Sequence, residues 1–216
     1  MISKKRLLKN WKVYAILDDS FFQDRRGLLK KFNELLKSPI DAVQLRFAGL
    51  SDPLIYRTAE RMIERAKKKN IPLIINDRPE IALALGAAGV HLGKSDIPAS
   101  IARQMLGPGA IIGRTIRDAG DLAFIDGVDS DYVSIGPVFR TPIKPGLRTV
   151  SRARLREACE KAVMPLVAIG GINEENVRKI TALGVRTVAF VRYGITGKDT
   201  RKKITELRDI MIMETK

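Results

Sequence analysis

At 216 residues and a formal charge of +15, with 45% hydrophobic and 29% charged residues, the chain is long enough for one well-filled core, short for two, and too apolar for disorder. No apolar run reaches the roughly 18–20 residues that span a bilayer, and the basic start Met1 to Arg6 leads into Asn10, Trp11 and Lys12, not an apolar signal core. One domain over residues 1–216, in the cytoplasm, is the expectation; the lone Cys159 excludes an internal disulfide, and no Cys/His cluster, Ser/His/Asp spacing or P-loop is present.

Short runs rich in Val, Ile and Leu alternate with segments of helical period, the pattern of βα units repeated around a parallel sheet. Residues 1–11 form an amphipathic lead-in to the first run, 13–18, which a helix at 28–37 follows. The second run, 42–47, precedes a helix over 53–69 whose cations, Arg61 to Lys69, fit a solvated outer face. Gln44 and Arg46 share one side of that strand, and an inward arginine is costly unless it meets an anion. The third run, 72–77, ends in Asn76-Asp77 ahead of a helix at 80–85; the fourth, 89–93, is followed by Lys94-Ser95-Asp96 and a helix at 99–106. Two carboxylates thus reach adjacent strand ends, where hard oxygen ligands on an open face suit Mg²⁺ held jointly with a diphosphate. Taken singly, either aspartate fits better as a cap of the helix after it. His91, the only histidine, lies on a run too short to fix its face, and a structural role is favoured over that of a general base.

The fifth run, 110–115, a short helix at 122–126 and the sixth run, 131–136, lead into a loop over 136–146 rich in Gly, Pro and basic groups, of the kind that closes over ligands. The helix at 152–161 carries Cys159 in an apolar pattern, as an inert thiol. The seventh run, 165–171, ends Ile169-Gly170-Gly171-Ile172 before a helix at 174–183; near Asn173 it offers backbone N–H groups to a phosphate, unless the glycines only permit a tight turn. The eighth run, 186–192, and a helix at 200–213 complete the series, and Gly86, Gly107, Gly127 and Gly184 each follow a helix as left-handed caps. Eight strands with eight helices favour a closed (β/α)8 TIM barrel with its site at the C-terminal strand ends. The charge attracts anions such as phosphorylated metabolites or nucleic acid, but the 6% of aromatic residues is not interleaved with the basic ones, which disfavours nucleic acid; nothing calls for a membrane, and a homo-oligomer stays open.

Together these segments resemble the thiamine phosphate synthase family. That family carries Gln-x-Arg-x-Lys after strand two, here Gln44-Leu45-Arg46-Phe47-Ala48; Asn-Asp after strand three, here Asn76-Asp77; and His-Leu-Gly-x-x-Asp at strand four, here His91 to Asp96. Its Gly-x-Ser at strand five is Gly113-Arg114-Thr115, its Gly-Pro-x-x-x-Thr-x-Thr-Lys at strand six is Gly136 to Lys144, and its Ile-Gly-Gly-Ile at strand seven is Ile169 to Ile172. The resemblance implies a Mg²⁺-dependent transferase of thiamine biosynthesis that joins a hydroxymethylpyrimidine diphosphate to a thiazole phosphate, pyrophosphate leaving first to give a pyrimidinylmethyl cation. At matching positions it implies that Gln44, Arg46, Asn76 and Lys144 hold the pyrimidine diphosphate and that Asp77 and Asp96 ligate Mg²⁺. Thr115 stands for the family's serine, Thr141 with the Gly171 backbone takes the thiazole phosphate, and Arg46, Lys144 and Thr115 are the catalytic set.

Three positions depart from the pattern. Ala48 replaces a lysine, Ile143 replaces a threonine, and Phe190-Val191-Arg192 puts a long cation beside Val191 at the strand-eight phosphate region, where a small residue is usual. Each lost charge-assisted contact costs on the order of 2–4 kcal/mol at the transition state. Lys94, Arg114 and Arg192 are the candidate compensating cations. A thiazole tautomerase-like paralogue is the alternative enzyme, disfavoured because Arg117 stands where those enzymes carry histidine; a non-catalytic barrel binding a phosphorylated metabolite is the other alternative.

Overall fold

The computed structural model describes residues 4–124, 129–143 and 146–215. A short helix, α1 (Lys4–Lys9), precedes β1 (Val13–Asp18), and α2 (Arg25–Leu35), β2 (Ala42–Arg46), α3 (Asp52–Lys68), β3 (Leu73–Asn76), α4 (Pro79–Leu85), β4 (Gly89–Leu92), α5 (Ala99–Leu106) and β5 (Ile111–Ile116) follow. The chain continues through β6 (Tyr132–Ile135), α6 (Arg152–Lys161), β7 (Leu166–Ile169), α7 (Arg178–Thr181), β8 (Thr187–Phe190) and α8 (Thr200–Glu214). All eight strands pair parallel in chain order, and β8 pairs back onto β1, so the expected barrel is closed.

Alternation along each strand divides the apolar side chains into two layers. One set, including Val43, Leu45, Val90, Ile112, Val133 and Val188, packs under the helices; the other, including Ile16, Ala42, Ile74, Ile111, Val167 and Ala189, fills the barrel. Leu8 and Trp11 close the lower end of the inner set, and Lys4 Nζ is fastened to the Pro108 and Ala110 carbonyls at 2.8 and 2.9 Å and to Asp131 at 2.8 Å. The lead-in is therefore a plug, which leaves the upper end of the barrel as the place for a ligand. The cations of α3 face outward as expected, Arg61, Arg65 and Lys68 being exposed, and no helix among the described residues is long and apolar enough to cross a membrane.

Strands and most helices fall within a few residues of their expected bounds. Gly86, Gly107 and Gly184 have positive φ of 58°, 76° and 99°, while Gly127 lies outside the described residues. Two helices differ. The one expected at 122–126 is a 3-10 turn over Ala119–Phe124, and the one expected at 174–183 is regular only over Arg178–Thr181. In the second, Asn173 and Asn176 bond nearby backbone N–H groups and so compete with the helical ladder.

Cys159 packs half-buried against the core, and burial, then the charge of Glu160, pushes its thiol up to about 11. At pH 8 its thiolate fraction should be roughly two orders of magnitude below that of a free cysteine. Alkylation by iodoacetamide is expected to be slow in the native protein by about that factor and fast in denaturant; equal rates would mean an accessible, reactive thiol.

Candidate active site

A cavity of about 320 Å³ opens at the C-terminal ends of the strands. Gln44, Arg46, Asn76, Thr115, Thr141, Gly171, Val191 and Arg192 all line it, so eight positions from six parts of the sequence converge. Lys144 lies outside the described residues. Tyr14, Asp18, His91, Arg117 and Ser134 also line the cavity and were not assigned to it from sequence. Register explains much of this: Arg46 lies beside Asp18, His91 beside Asn76, and Thr115 beside Ser134, and neighbours in register across parallel strands point to one side.

The anion that an inward Arg46 requires is supplied by the protein. Arg46 Nη1 pairs with Asp18 Oδ2, and the other carboxylate oxygen accepts from Ser20 N at 3.0 Å and Ser20 Oγ at 2.6 Å. Asp18 is 1% exposed whereas the arginine side chain is 35% exposed. The buried acid therefore holds the guanidinium at the mouth with donors left over for a ligand.

Asp77 and Asp96 are brought together, and neither caps a helix: α4 and α5 begin after Arg78 and Pro98 without a side-chain capping bond. Asp96 Oδ2 instead accepts from Gly93 N at 2.6 Å, while Asp77, at φ 60°, donates its backbone N–H to the His91 carbonyl at 2.9 Å. Burial raises the Asp77 pKa to about 6, helped by the hydrogen bond to Asp96 and by that neighbour's charge. A half-buried carboxylate pair that holds a proton only below about pH 6 is the donor chemistry that a divalent cation with a bound oxyanion would fit. The described residues hold no group of three or more metal-ligating His, Cys, Asp or Glu side chains, so such a cation would need ligand oxygens besides these two. The pair sits beside the cavity and not in its lining.

The phosphate end differs from expectation. The N–H groups of Asn173, Glu175 and Asn176 are taken by the Asn176 and Asn173 side chains, and Asn176 Nδ2 donates to the Gly171 carbonyl at 2.8 Å. An anion there would turn to the Gly171 and Ile172 backbone and to Arg192, whose exposed side chain borders the cavity. The glycine pair does more than turn the chain. A Cβ at Gly170 would come within 2.5 Å of Pro137 Cβ, and one at Gly171 within 2.5 Å of the Arg140 carbonyl, so both let the loop after β6 lie flush against β7. That loop contributes Thr141, Ile143 and Leu147 as a partly apolar wall.

Of the candidate compensating cations, Lys94 is spent on Asp121 at 2.7 Å, and Arg114 Nη1 donates to the Ile97 carbonyl at 3.0 Å. Burial lowers the Arg114 pKa, and the charge of Asp96 opposes this, which places that guanidinium on the carboxylate side of the site. Arg117 borders the cavity and donates to the Gly136 carbonyl at 3.0 Å. The cations bordering the cavity among the described residues are thus Arg46, Arg117 and Arg192. The inner wall joins Gln44, Tyr14, Tyr132, His91, Thr115 and Ser134 through short polar contacts, so His91 faces the barrel interior at 8% exposure.

Known proteins place this architecture. The family model described as thiamine monophosphate synthase matches residues 13–193. A thiamine-phosphate synthase of Clostridium novyi (strain NT) is 38% identical over 183 residues, covering 84% of this chain and 89% of that protein. Thiamine-phosphate synthase 1 of Aquifex aeolicus (strain VF5) is 33% identical over 197 residues, covering 91% of each. The solved structure of thiamine phosphate pyrophosphorylase from Pyrococcus furiosus superposes with a TM-score of 0.85 at 28% identity, over 97% of this chain and 100% of that one. With the model spanning nearly every strand and the site occupying the same barrel mouth that the motifs mark, the chain belongs to the thiamine monophosphate synthase family.

Proposed function

We propose that this chain is a cytoplasmic transferase of thiamine biosynthesis that joins a hydroxymethylpyrimidine diphosphate to a thiazole phosphate and releases pyrophosphate. The observation that carries this reading is the convergence of Gln44, Arg46, Asn76, Thr115, Thr141 and Arg192 on one cavity beside the Asp77–Asp96 pair, in a member of this family. Mg²⁺, held by Asp77 and Asp96, would neutralise diphosphate charge when bound. The leaving group departs with negative charge, and Arg46, anchored by Asp18, presents spare N–H donors to it without having to reorganise. Gln44 and Asn76 orient the pyrimidine end. Ile143, Leu147 and Ile172 keep water from an electron-deficient centre on the acceptor side, where Thr141 and the Gly171–Ile172 backbone receive the second phosphate.

Incubation with both substrates and Mg²⁺ tests the reading directly: thiamine phosphate and pyrophosphate in equal amounts are expected. The departures sharpen the test. Ala48 is exposed, with its N–H on Asp19 Oδ1 at 2.8 Å, and Ile143 is half-buried on the cavity wall. A lysine at the first and a hydroxyl at the second can be accommodated without disturbing the core. Ala48→Lys with Ile143→Thr is expected to raise turnover by about tenfold, since both restore groups that act on developing charge. Arg192→Ser should change mainly KM for the thiazole phosphate, because a cation that holds substrate and product alike contributes uniform binding. No gain in turnover by a folded double variant that binds both substrates would favour a phosphometabolite-binding barrel.

A further inference from the structure

Beneath the cavity lies a buried polar chain that the proposed substrate contacts do not account for. Gln44 Nε2 donates to Tyr14 Oη at 2.8 Å, Tyr14 Oη lies 3.1 Å from Tyr132 Oη, and Tyr132 Oη lies 2.9 Å from His91 Nδ1. On the far side of the ring, His91 Nε2 lies 3.0 Å from Thr115 Oγ1 and 3.3 Å from Ser134 Oγ. Tyr14 and Tyr132 are 1% and 0% exposed, tilted against Trp11 within the inner apolar layer, so bulk water does not complete these bonds. Burial raises both phenol pKa values well above their usual value, which keeps both hydroxyl hydrogens in place.

These hydrogens can be distributed along the chain in two directions. With Gln44 donating to Tyr14, the Tyr14 hydrogen goes to Tyr132, the Tyr132 hydrogen goes to His91 Nδ1, and the ring proton sits on Nε2, aimed at Thr115 and Ser134. Each hydrogen then has an acceptor. A proton on Nδ1 instead turns Tyr132 to donate to Tyr14, which already accepts from Gln44, and leaves the Tyr14 hydrogen, on a residue 1% exposed, without an acceptor along the chain, where an unpaired donor is costly. Space for the chain is made by Gly113, register neighbour of Tyr132: a Cβ there would meet Tyr132 Cζ at 2.1 Å and its Oη at 2.4 Å.

We infer that Tyr14 and Tyr132 are positioning residues, a buried relay running from the Gln44 amide that holds His91 as its Nε2–H tautomer. The ring then donates to the Thr115–Ser134 pair, which lie 3.5 Å apart, so at least one of their two hydroxyl hydrogens is left to face the cavity. The cavity wall gains a donor suited to a ring nitrogen or a phosphate oxygen. Which of these meets it rests on the reaction proposed above; the tautomer does not.

His91 is the only histidine, so protein labelled with ¹⁵N-histidine gives one imidazole spin system. At about pH 8, above the ordinary imidazole pKa, the free protein is expected to show a protonated Nε2 and an unprotonated Nδ1, favoured by at least about tenfold. Tyr132→Phe removes the donor to Nδ1, so the ¹⁵N shift of that nitrogen is expected to move toward that of an imidazole nitrogen without a hydrogen bond while the proton stays on Nε2. Tyr14→Phe leaves that donor in place and should retain Nε2–H. Gly113→Ala displaces Tyr132 without deleting a polar group and should behave as Tyr132→Phe. A wild-type Nδ1–H tautomer overturns the inference, as does a Tyr132→Phe protein with native circular dichroism and an unchanged Nδ1 shift. In the synthase assay Tyr132→Phe is expected to lower turnover by about tenfold, and melting temperature by a few degrees because Tyr14 loses its acceptor. The tautomer pattern in a protein that makes no thiamine phosphate would support the relay while defeating the reaction.

Discussion

Asp96→Ala is expected to lower turnover by about 10²–10³ and to abolish the dependence of diphosphate affinity on Mg²⁺, read by titration calorimetry with and without the metal. The reason lies in the Asp77–Asp96 contact. Burial, the hydrogen bond to Asp96 and the charge of Asp96 raise the Asp77 pKa to about 6, so below that pH the free pair keeps a proton that a cation must displace. Metal affinity should accordingly rise with pH through about 6 in the wild type. Folding stability carries the opposite sign. An ordinary aspartate near 4 in the unfolded chain has released its proton where folded Asp77 still holds one, so this group's contribution is complete below about pH 4 and is lost as pH rises to about 6. Metal-free melting curves should therefore show Asp96→Asn gaining on the wild type across that window. Equal diphosphate affinity with and without Mg²⁺, in both proteins, would rule out metal-bridged binding.

Arg46→Ala should cost about 3 kcal/mol of stability in urea unfolding and remove diphosphate binding as well, because it leaves the Asp18 carboxylate, 1% exposed, without its cation. The estimate sits at the low end for a buried pair since the arginine is 35% exposed. Asp18→Ala is expected to cost less, about 1 kcal/mol, since Arg46 can turn to water, while diphosphate affinity falls because the guanidinium is no longer held at the mouth. The asymmetry is the diagnostic result. Equal stability losses would mean that Arg46 is as buried in solution as its partner, and an Asp18→Ala protein with wild-type affinity would mean that Arg46 needs no anchor to meet its ligand.

How far these residues could be read in advance depended on the range of the interactions that place them. Periods of two and 3.6 residues act over a single element, so the eight βα units, the outward cations of α3 and the packing of Cys159 against the core were all legible in the chain. So was the arrival of Gln44, Arg46, Asn76, Thr115, Thr141 and Gly171 at one barrel mouth, because strand ends in a closed parallel barrel share one rim. The partners were not legible. Asp18 answers Arg46 across 28 residues, Tyr132 reaches His91 across 41 and Tyr14 across 118, and these pairings exist only once closure sets the register. For the same reason the aspartates, each of which taken singly fitted a helix cap better than a metal site, meet each other instead, and the N–H groups after β7, free in any local reading, are taken by Asn173 and Asn176. Local periodicity determined the fold and its rim, and the motifs at the strand ends carried the family resemblance; barrel closure decided which charge and which hydrogen each buried polar group meets, because a desolvated group must find its partner among whatever neighbours the closed sheet puts beside it.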